Sequence, residues 1–119
     1  MKKVISTSNA PAAIGPYSQA IMAGDFLYVS GQIGIVPATG NIAEGGIEAQ
    51  ANQVFENLKA ILTEAGLGFK DVVKATVLLK DIGDFATVNA IYGKYFEGCD
   101  YPARAAFQVG ALPKDAMVE

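Results

Sequence analysis

The chain has 119 residues, 51% hydrophobic and 18% charged, with a net charge of −3, no histidine, a single cysteine and a single arginine. This is enough apolar material for one domain over residues 1–119, and the scattered lysines beyond Lys2-Lys3 make a poor electrostatic footprint for nucleic acid or an anionic membrane. Without histidine no Cys/His zinc site and no Ser-His or Cys-His nucleophile pair can be assembled, and one cysteine allows no internal disulfide, so catalysis would rest on carboxylates, Tyr, Lys, Ser, backbone groups or the arginine.

The segment from Met1 to Ser6 runs into a polar stretch without the apolar core of a signal peptide, and no apolar run reaches membrane-spanning length. A cytoplasmic protein is expected. Residues 17–35 read as two strands around Ala23-Gly24-Asp25, with Phe26-Leu27-Tyr28-Val29 at the centre of the second and Ser30-Gly31-Gln32 interrupting it. From Val36-Pro37 to Gly45-Gly46 the Pro, Gly and Asn residues predict a surface loop. The glycines there match neither GxGxxG nor GxxxxGK[ST], so nucleotide binding gains no support.

A helix follows. Ile47, Ala51, Val54, Phe55, Leu58, Ile61, Leu62 and Ala65 share one face, and Gly66 supplies the stop. The run from Val72 to Leu79 is β-branched or apolar on both alternations, which predicts a strand buried on most of both faces. Asp84 is the expected N-cap of a second helix carrying Phe85, Val88, Ile91, Tyr92, Tyr95 and Phe96 on one stripe before Gly98. Pro102 restarts an extended segment to Val109, Leu112-Pro113-Lys114-Asp115 reads as a turn, and Met117-Val118-Glu119 as the start of a strand.

About six strands and two amphipathic helices define an α+β fold with a mixed sheet. Two helices cover only one face of such a sheet. The apolar residues left on the other face predict burial against further copies, a homo-oligomer.

Arg104 opens the apolar run Ala105-Ala106-Phe107-Gln108-Val109, where a guanidinium needs an anion beside it. That anion is either a protein carboxylate or a ligand, and the residues alone leave both open. Four blocks surround it in the sequence: Ala10-Pro11-Ala12-Ala13-Ile14-Gly15-Pro16-Tyr17-Ser18-Gln19, Ser30-Gly31-Gln32-Ile33, Asp84-Phe85-Ala86-Thr87-Val88-Asn89 and Tyr101-Pro102-Ala103-Arg104, followed by Leu112-Pro113-Lys114-Asp115. In this order they resemble the RidA/YjgF family of reactive imine and enamine deaminases over essentially the whole chain.

The resemblance implies a chorismate-mutase-like subunit, a trimer closing a central β-barrel, and ligand sites in the clefts between subunits. It implies hydrolysis of 2-imino acids and their enamine tautomers, such as 2-aminoacrylate and 2-aminocrotonate released by pyridoxal-phosphate dehydratases, to 2-oxo acids and ammonia, with no metal and no cofactor. The same resemblance makes Arg104 a clamp for the substrate carboxylate and Glu119 the group that activates water and returns a proton. Tyr17, Ser30, Gly31, Asn89 and Ala106 become substrate contacts, and the strand begun at Met117 is implied to continue past Glu119.

Ala106 departs from the pattern, because well-known deaminases of the family carry cysteine there. Only its carbonyl is left to orient water, and Cys99 in its loop reads as incidental. Two other readings stand beside the enzyme: a non-catalytic trimeric metabolite-binding or regulatory protein, and an endoribonuclease or translation inhibitor, which the acidic charge disfavours.

Overall fold

The computed structural model describes residues 1–119. Seven short strands and two helices alternate in an α+β order: β1 (Lys2–Ile5), β2 (Ala20–Ala23), β3 (Phe26–Val29), β4 (Ile35–Val36), β5 (Asn41–Ile42), α1 (Gly46–Glu64), β6 (Lys74–Leu79), α2 (Phe85–Tyr95) and β7 (Ala103–Gln108). β1-β2-β3 form an antiparallel meander, β4-β5 a small hairpin, and β6-β7 a parallel pair crossed over by α2, so the pairing is mixed as expected.

The expected β2-β3 hairpin forms around Gly24, whose φ of 60° suits glycine. Three strands were not legible. β1 carries Lys2 and Lys3, whose charges hide its alternation, and β4-β5 forms inside the predicted loop, closed by Gly40 N–H donating to the Val36 carbonyl at 2.8 Å.

α1 runs as its periodicity predicts and ends at Gly66, which adopts φ 76°. There Gly66 N–H reaches the Thr63 carbonyl and Leu67 N–H the Leu62 carbonyl, a Schellman closure. Asp84 occupies the N-cap position of α2 but makes no side-chain cap bond. Asp81 instead accepts from Gly83 N–H at 2.8 Å in the preceding turn.

The predicted burial of β6 on both faces is corrected by its alternation. Val77 and Leu79 are buried against the helices, while Lys74 and Thr76 are exposed. Register carries this across the layer. Ala75, Val77 and Leu79 face the helices with Arg104, Ala106 and Gln108, and Lys74, Thr76 and Leu78 face away with Ala103, Ala105 and Phe107.

In the meander, Ile5, Ala20, Leu27 and Val29 pack toward Ile61 of α1, leaving Val4, Phe26 and Tyr28 outside at 55%, 59% and 64% exposure. Both helices thus lie on one face. The other face is open and carries these apolar side chains and Phe107 beside Lys74 and Thr76.

Met117-Val118-Glu119 adds to the free edge of β6. Lys80 N–H donates to the Met117 carbonyl at 3.0 Å, and Leu78 and Glu119 exchange two bonds of 2.8 Å. Between this segment and the end of β3 lies a cleft of about 370 Å³, floored by Val54, Phe55 and Leu58 of α1 and Val88 of α2.

Candidate functional site

Arg104 leaves β7 on the helix side, two residues before Ala106, and meets one stripe of α2. Phe85, Asn89 and Tyr92 stand at i, i+4 and i+7, the spacing that aligns side chains along a helix face. Nη1 of Arg104 donates to Asn89 Oδ1 at 2.7 Å, and Cζ lies 4.7 Å from the Tyr92 ring centre and 5.4 Å from that of Phe85.

Arg104 is exposed, although it opens an apolar run. No carboxylate of its own chain reaches it, since the one salt bridge joins Lys80 to Asp115 at 2.9 Å. Asn89 takes one N–H and the aromatic faces take the charge, which leaves the rest of the fork free to accept an anion.

Beneath the guanidinium, burial pushes the Tyr92 hydroxyl above its ordinary pKa, the charge of Arg104 works against that shift and Tyr101 adds to it. The phenol is therefore neutral at ordinary pH. Ala106 turns its methyl into the core opposite Val77, so a role in ligand contact falls to its main chain.

Glu119 stands elsewhere. Pairing with Leu78 fixes its backbone, and Gln50 Oε1 accepts from Met117 N–H at 2.8 Å just before it. Its carboxylate lies against Gly31, where any Cβ would overlap the carboxylate oxygen. Tyr17, Ser30, Gly31 and Glu119 line one groove of about 630 Å³, with apolar walls from Ile14 and Ile33. Tyr17 is half exposed there. The Ser30 hydroxyl is already engaged, donating to the Ser18 carbonyl at 2.6 Å, so Ser30 offers this groove chiefly its small size and backbone.

Arg104, Asn89 and Ala106 do not line this groove. Arg104 is level with Ala75 and Glu119 with Leu78, on opposite edges of β6. Two strand spacings across and three residues along put their Cα atoms roughly 14 Å apart. Their side chains also leave opposite faces, because Glu119 shares the face of Leu78, away from the helices, and Arg104 that of Ala75. Within one subunit the arginine and the glutamate are therefore kept apart.

Sequence reasoning missed the groove's scaffold. All four buried polar side chains are carboxamides, Gln19, Gln32, Gln50 and Asn57, and each bonds main chain in or beside the groove. Gln19 Nε2 donates to the Pro11 carbonyl at 2.8 Å, Gln32 Nε2 to that of Ser30 at 3.2 Å, and Asn57 Nδ2 to those of Ile33 and Ile35 at 3.3 and 2.9 Å.

Gln19 and Gln32 lie inside the motif blocks, a signal that was present. Gln50 and Asn57 sit within a helix pattern that gives no hint of their loop partners. Lys114 was also missed as a groove residue. It lies in a turn where Lys114 and Asp115, at φ 54° and 53°, are the only non-glycine residues with left-handed backbone.

An α+β layer with helices on one face, an arginine with an open fork and a glutamate in a separate groove defines the class of molecule to be matched. A sequence profile of the family described as Endoribonuclease L-PSP matches residues 7–119. The chain is 54% identical to the 2-iminobutanoate/2-iminopropanoate deaminase of Bos taurus, covering 100% of this chain and 86% of that protein.

Two solved structures align over nearly the whole length. A conserved Rid-family protein from Yersinia pestis superposes with a TM-score of 0.97 at 49% identity, covering 99% of this chain and 94% of that one. TdcF from E. coli, solved with bound serine, superposes with a TM-score of 0.93 at 43% identity, covering 98% and 92%. The chain belongs to the RidA/YjgF family.

Proposed function

We propose that this protein is a 2-imino acid deaminase, acting on 2-iminobutanoate and 2-iminopropanoate at sites completed when copies of the 1–119 domain assemble as a trimer. The observation that carries the reading is the single arginine, held by Asn89 and two aromatic rings with no carboxylate of its own chain. Relatives named as deaminases of these imines support the substrate class, and a relative solved with serine is consistent with an amino-acid-sized ligand bearing a carboxylate. The cytoplasm, where such imines arise from dehydratases, is the proposed place of action.

In this reading Arg104 grips the substrate carboxylate through two parallel N–H bonds and fixes the imine carbon. Glu119 of a neighbouring copy takes a proton from water as its oxygen bonds to that carbon, and the C=N π electrons move onto nitrogen, which is protonated. The resulting carbinolamine breaks its C–N bond, the hydroxyl proton is lost as C=O forms, and ammonia leaves. One water is consumed and one 2-oxo acid is made. An imine carbon is electrophilic enough that no covalent nucleophile is needed, consistent with Ala106, which carries no thiol.

The division between subunits follows from geometry. Half-sites roughly 14 Å apart on opposite sheet faces cannot meet on one small substrate. The open face bearing Val4, Phe26, Tyr28 and Phe107 supplies the apolar surface that would join the copies.

The test is to generate the imine in situ with a threonine dehydratase and follow 2-oxobutanoate. Faster release with the protein, lost in Arg104→Ala at unchanged oligomer mass, is expected. An Arg104→Ala variant as fast as the parent would rule out the clamp. Saturable 2-oxobutanoate binding with no acceleration over buffer would replace the enzyme by a metabolite-binding protein.

A further inference from the structure

Where a carboxylate can sit depends on the plane of the Arg104 guanidinium, and two kinds of contact set that plane. At its edge, Asn89 Oδ1 accepts from Nη1 at 2.7 Å, but Asn89 is exposed and water competes for that bond. At its face lie Tyr92 at 4.7 Å and Phe85 at 5.4 Å. The two supports differ in rigidity.

Tyr92 is the rigid member of this set. It is 5% exposed, meets Phe55 edge-on at 5.8 Å and lies 4.6 Å from Phe96, so its ring has no other rotamer to occupy without breaking the core. Its hydroxyl is the only buried side-chain polar atom in the chain with no hydrogen-bond partner. The hydroxyl therefore contributes no bond of its own. What Tyr92 presents to the site is the negative face of its π system, lying against the guanidinium.

We propose that Tyr92 is a positioning residue of the carboxylate clamp: its buried ring, with Phe85 beside it, holds the Arg104 guanidinium so that the N–H groups not used by Asn89 face the substrate carboxylate. The inference rests on the deaminase reading of Arg104 and adds to it a residue that the apolar stripe of α2 disguises as plain core. Tyr92 never touches substrate. Its effect passes through binding, because the clamp holds the carboxylate equally in the ground state and the transition state, whereas the reacting carbon is served by the other half-site.

The experiment compares the assembled parent protein with Tyr92→Phe, Tyr92→Leu, Phe85→Leu and Arg104→Ala, reading KM and kcat in the dehydratase-coupled assay and the Kd of 2-oxobutanoate. Removing the aromatic face in Tyr92→Leu is expected to raise KM and Kd together by about tenfold with kcat changed by less than about threefold. Tyr92→Phe keeps the face and is expected to restore KM and Kd to within about twofold of the parent while melting at the same or a higher temperature.

An unchanged KM in Tyr92→Leu, a fall in kcat without a rise in KM, or a Tyr92→Phe variant as impaired as Tyr92→Leu would each overturn the proposal. If Tyr92→Leu does not fold, Phe85→Leu decides: a smaller rise in KM and Kd supports the aromatic platform, and none overturns it. Arg104→Ala separates the two levels. If it binds 2-oxobutanoate as the parent does, the clamp itself fails; if it loses binding while the ring variants keep it, only the role of Tyr92 falls.

Discussion

The surroundings of Arg104 stand on regular structure and those of the Glu119 carboxylate largely on loops. Arg104 lies in a six-residue parallel strand and leans on one stripe of α2, so its surroundings are fixed by helix and strand geometry. Around Glu119, residues 11–17, 30–33 and 113–114 converge with little repeating hydrogen bonding. Loops of this kind need their carbonyls and amides satisfied one by one, and the four buried carboxamides do that work. A neutral amide donates and accepts without the desolvation penalty of a charge, which explains why Gln and Asn, rather than Lys or Glu, occupy these positions. The surroundings of Arg104 and of Glu119 thus arise by different physics.

The contrast is broken most severely by separating the two functions. Glu119→Gln is expected to lower kcat by about 10²–10⁴-fold with little change in KM, whereas Arg104→Ala should chiefly destroy binding. Steady-state kinetics on the two variants will distinguish these patterns. Mixing the two inactive proteins after unfolding and joint refolding should recover roughly a quarter of the parent activity, because some interfaces then pair an intact Arg104 with an intact Glu119. No recovery from a mixed assembly would place both groups in one subunit's site.

A smaller effect is expected from the glycine that makes room for the carboxylate. Gly31→Ala should shift Glu119 by the radius of a methyl group and reduce kcat by about 10–10²-fold at nearly constant stability, checked by kinetics and melting side by side. On the scaffold, Asn57→Ala strips the buried donor from the Ile33 and Ile35 carbonyls and should cost about 2 kcal/mol in denaturant unfolding, with loss of groove function before loss of fold.

The least effect is alkaline. Tyr92 and Tyr95 both have raised pKa values, Tyr92 through burial, and Tyr95 through burial and then through the hydrogen bond its hydroxyl donates to Glu56 at 2.7 Å. Their folded forms hold protons that the unfolded chain gives up near pH 10. The stability they lend is therefore complete below about pH 10 and declines as pH rises beyond it. Tyr95→Phe should flatten that decline in chemical denaturation between pH 9 and 11, and an unaltered slope would show that Tyr95 is not its source.

Local sequence determined a good deal. Apolar spacing from Ile47 to Ala65 and from Phe85 to Phe96 wrote both helices, Gly66 wrote the stop of α1, and the turn at Gly24 wrote the β2-β3 hairpin, because each depends on neighbours within a few residues. The motif blocks also marked Arg104, Asn89, Tyr17, Ser30 and Gly31, and the family resemblance they carry marked Glu119. What these residues do to one another was not written there. The bond from Arg104 to Asn89 spans 15 residues and that from Gln50 to Met117 spans 67, and no periodicity encodes such distances.

Only the tertiary structure decided that Arg104 is free of its own chain's carboxylates, that the Glu119 carboxylate lies where a Cβ at residue 31 would be, and that the two side chains leave opposite faces of one layer. The reason is physical: a strand's period of two assigns a side chain to one face or the other, but which face meets the helices is settled by long-range pairing. The lone arginine was visible in the sequence as a charge needing an anion. The fold made it a charge with an aromatic floor, an asparagine at its edge and an open side.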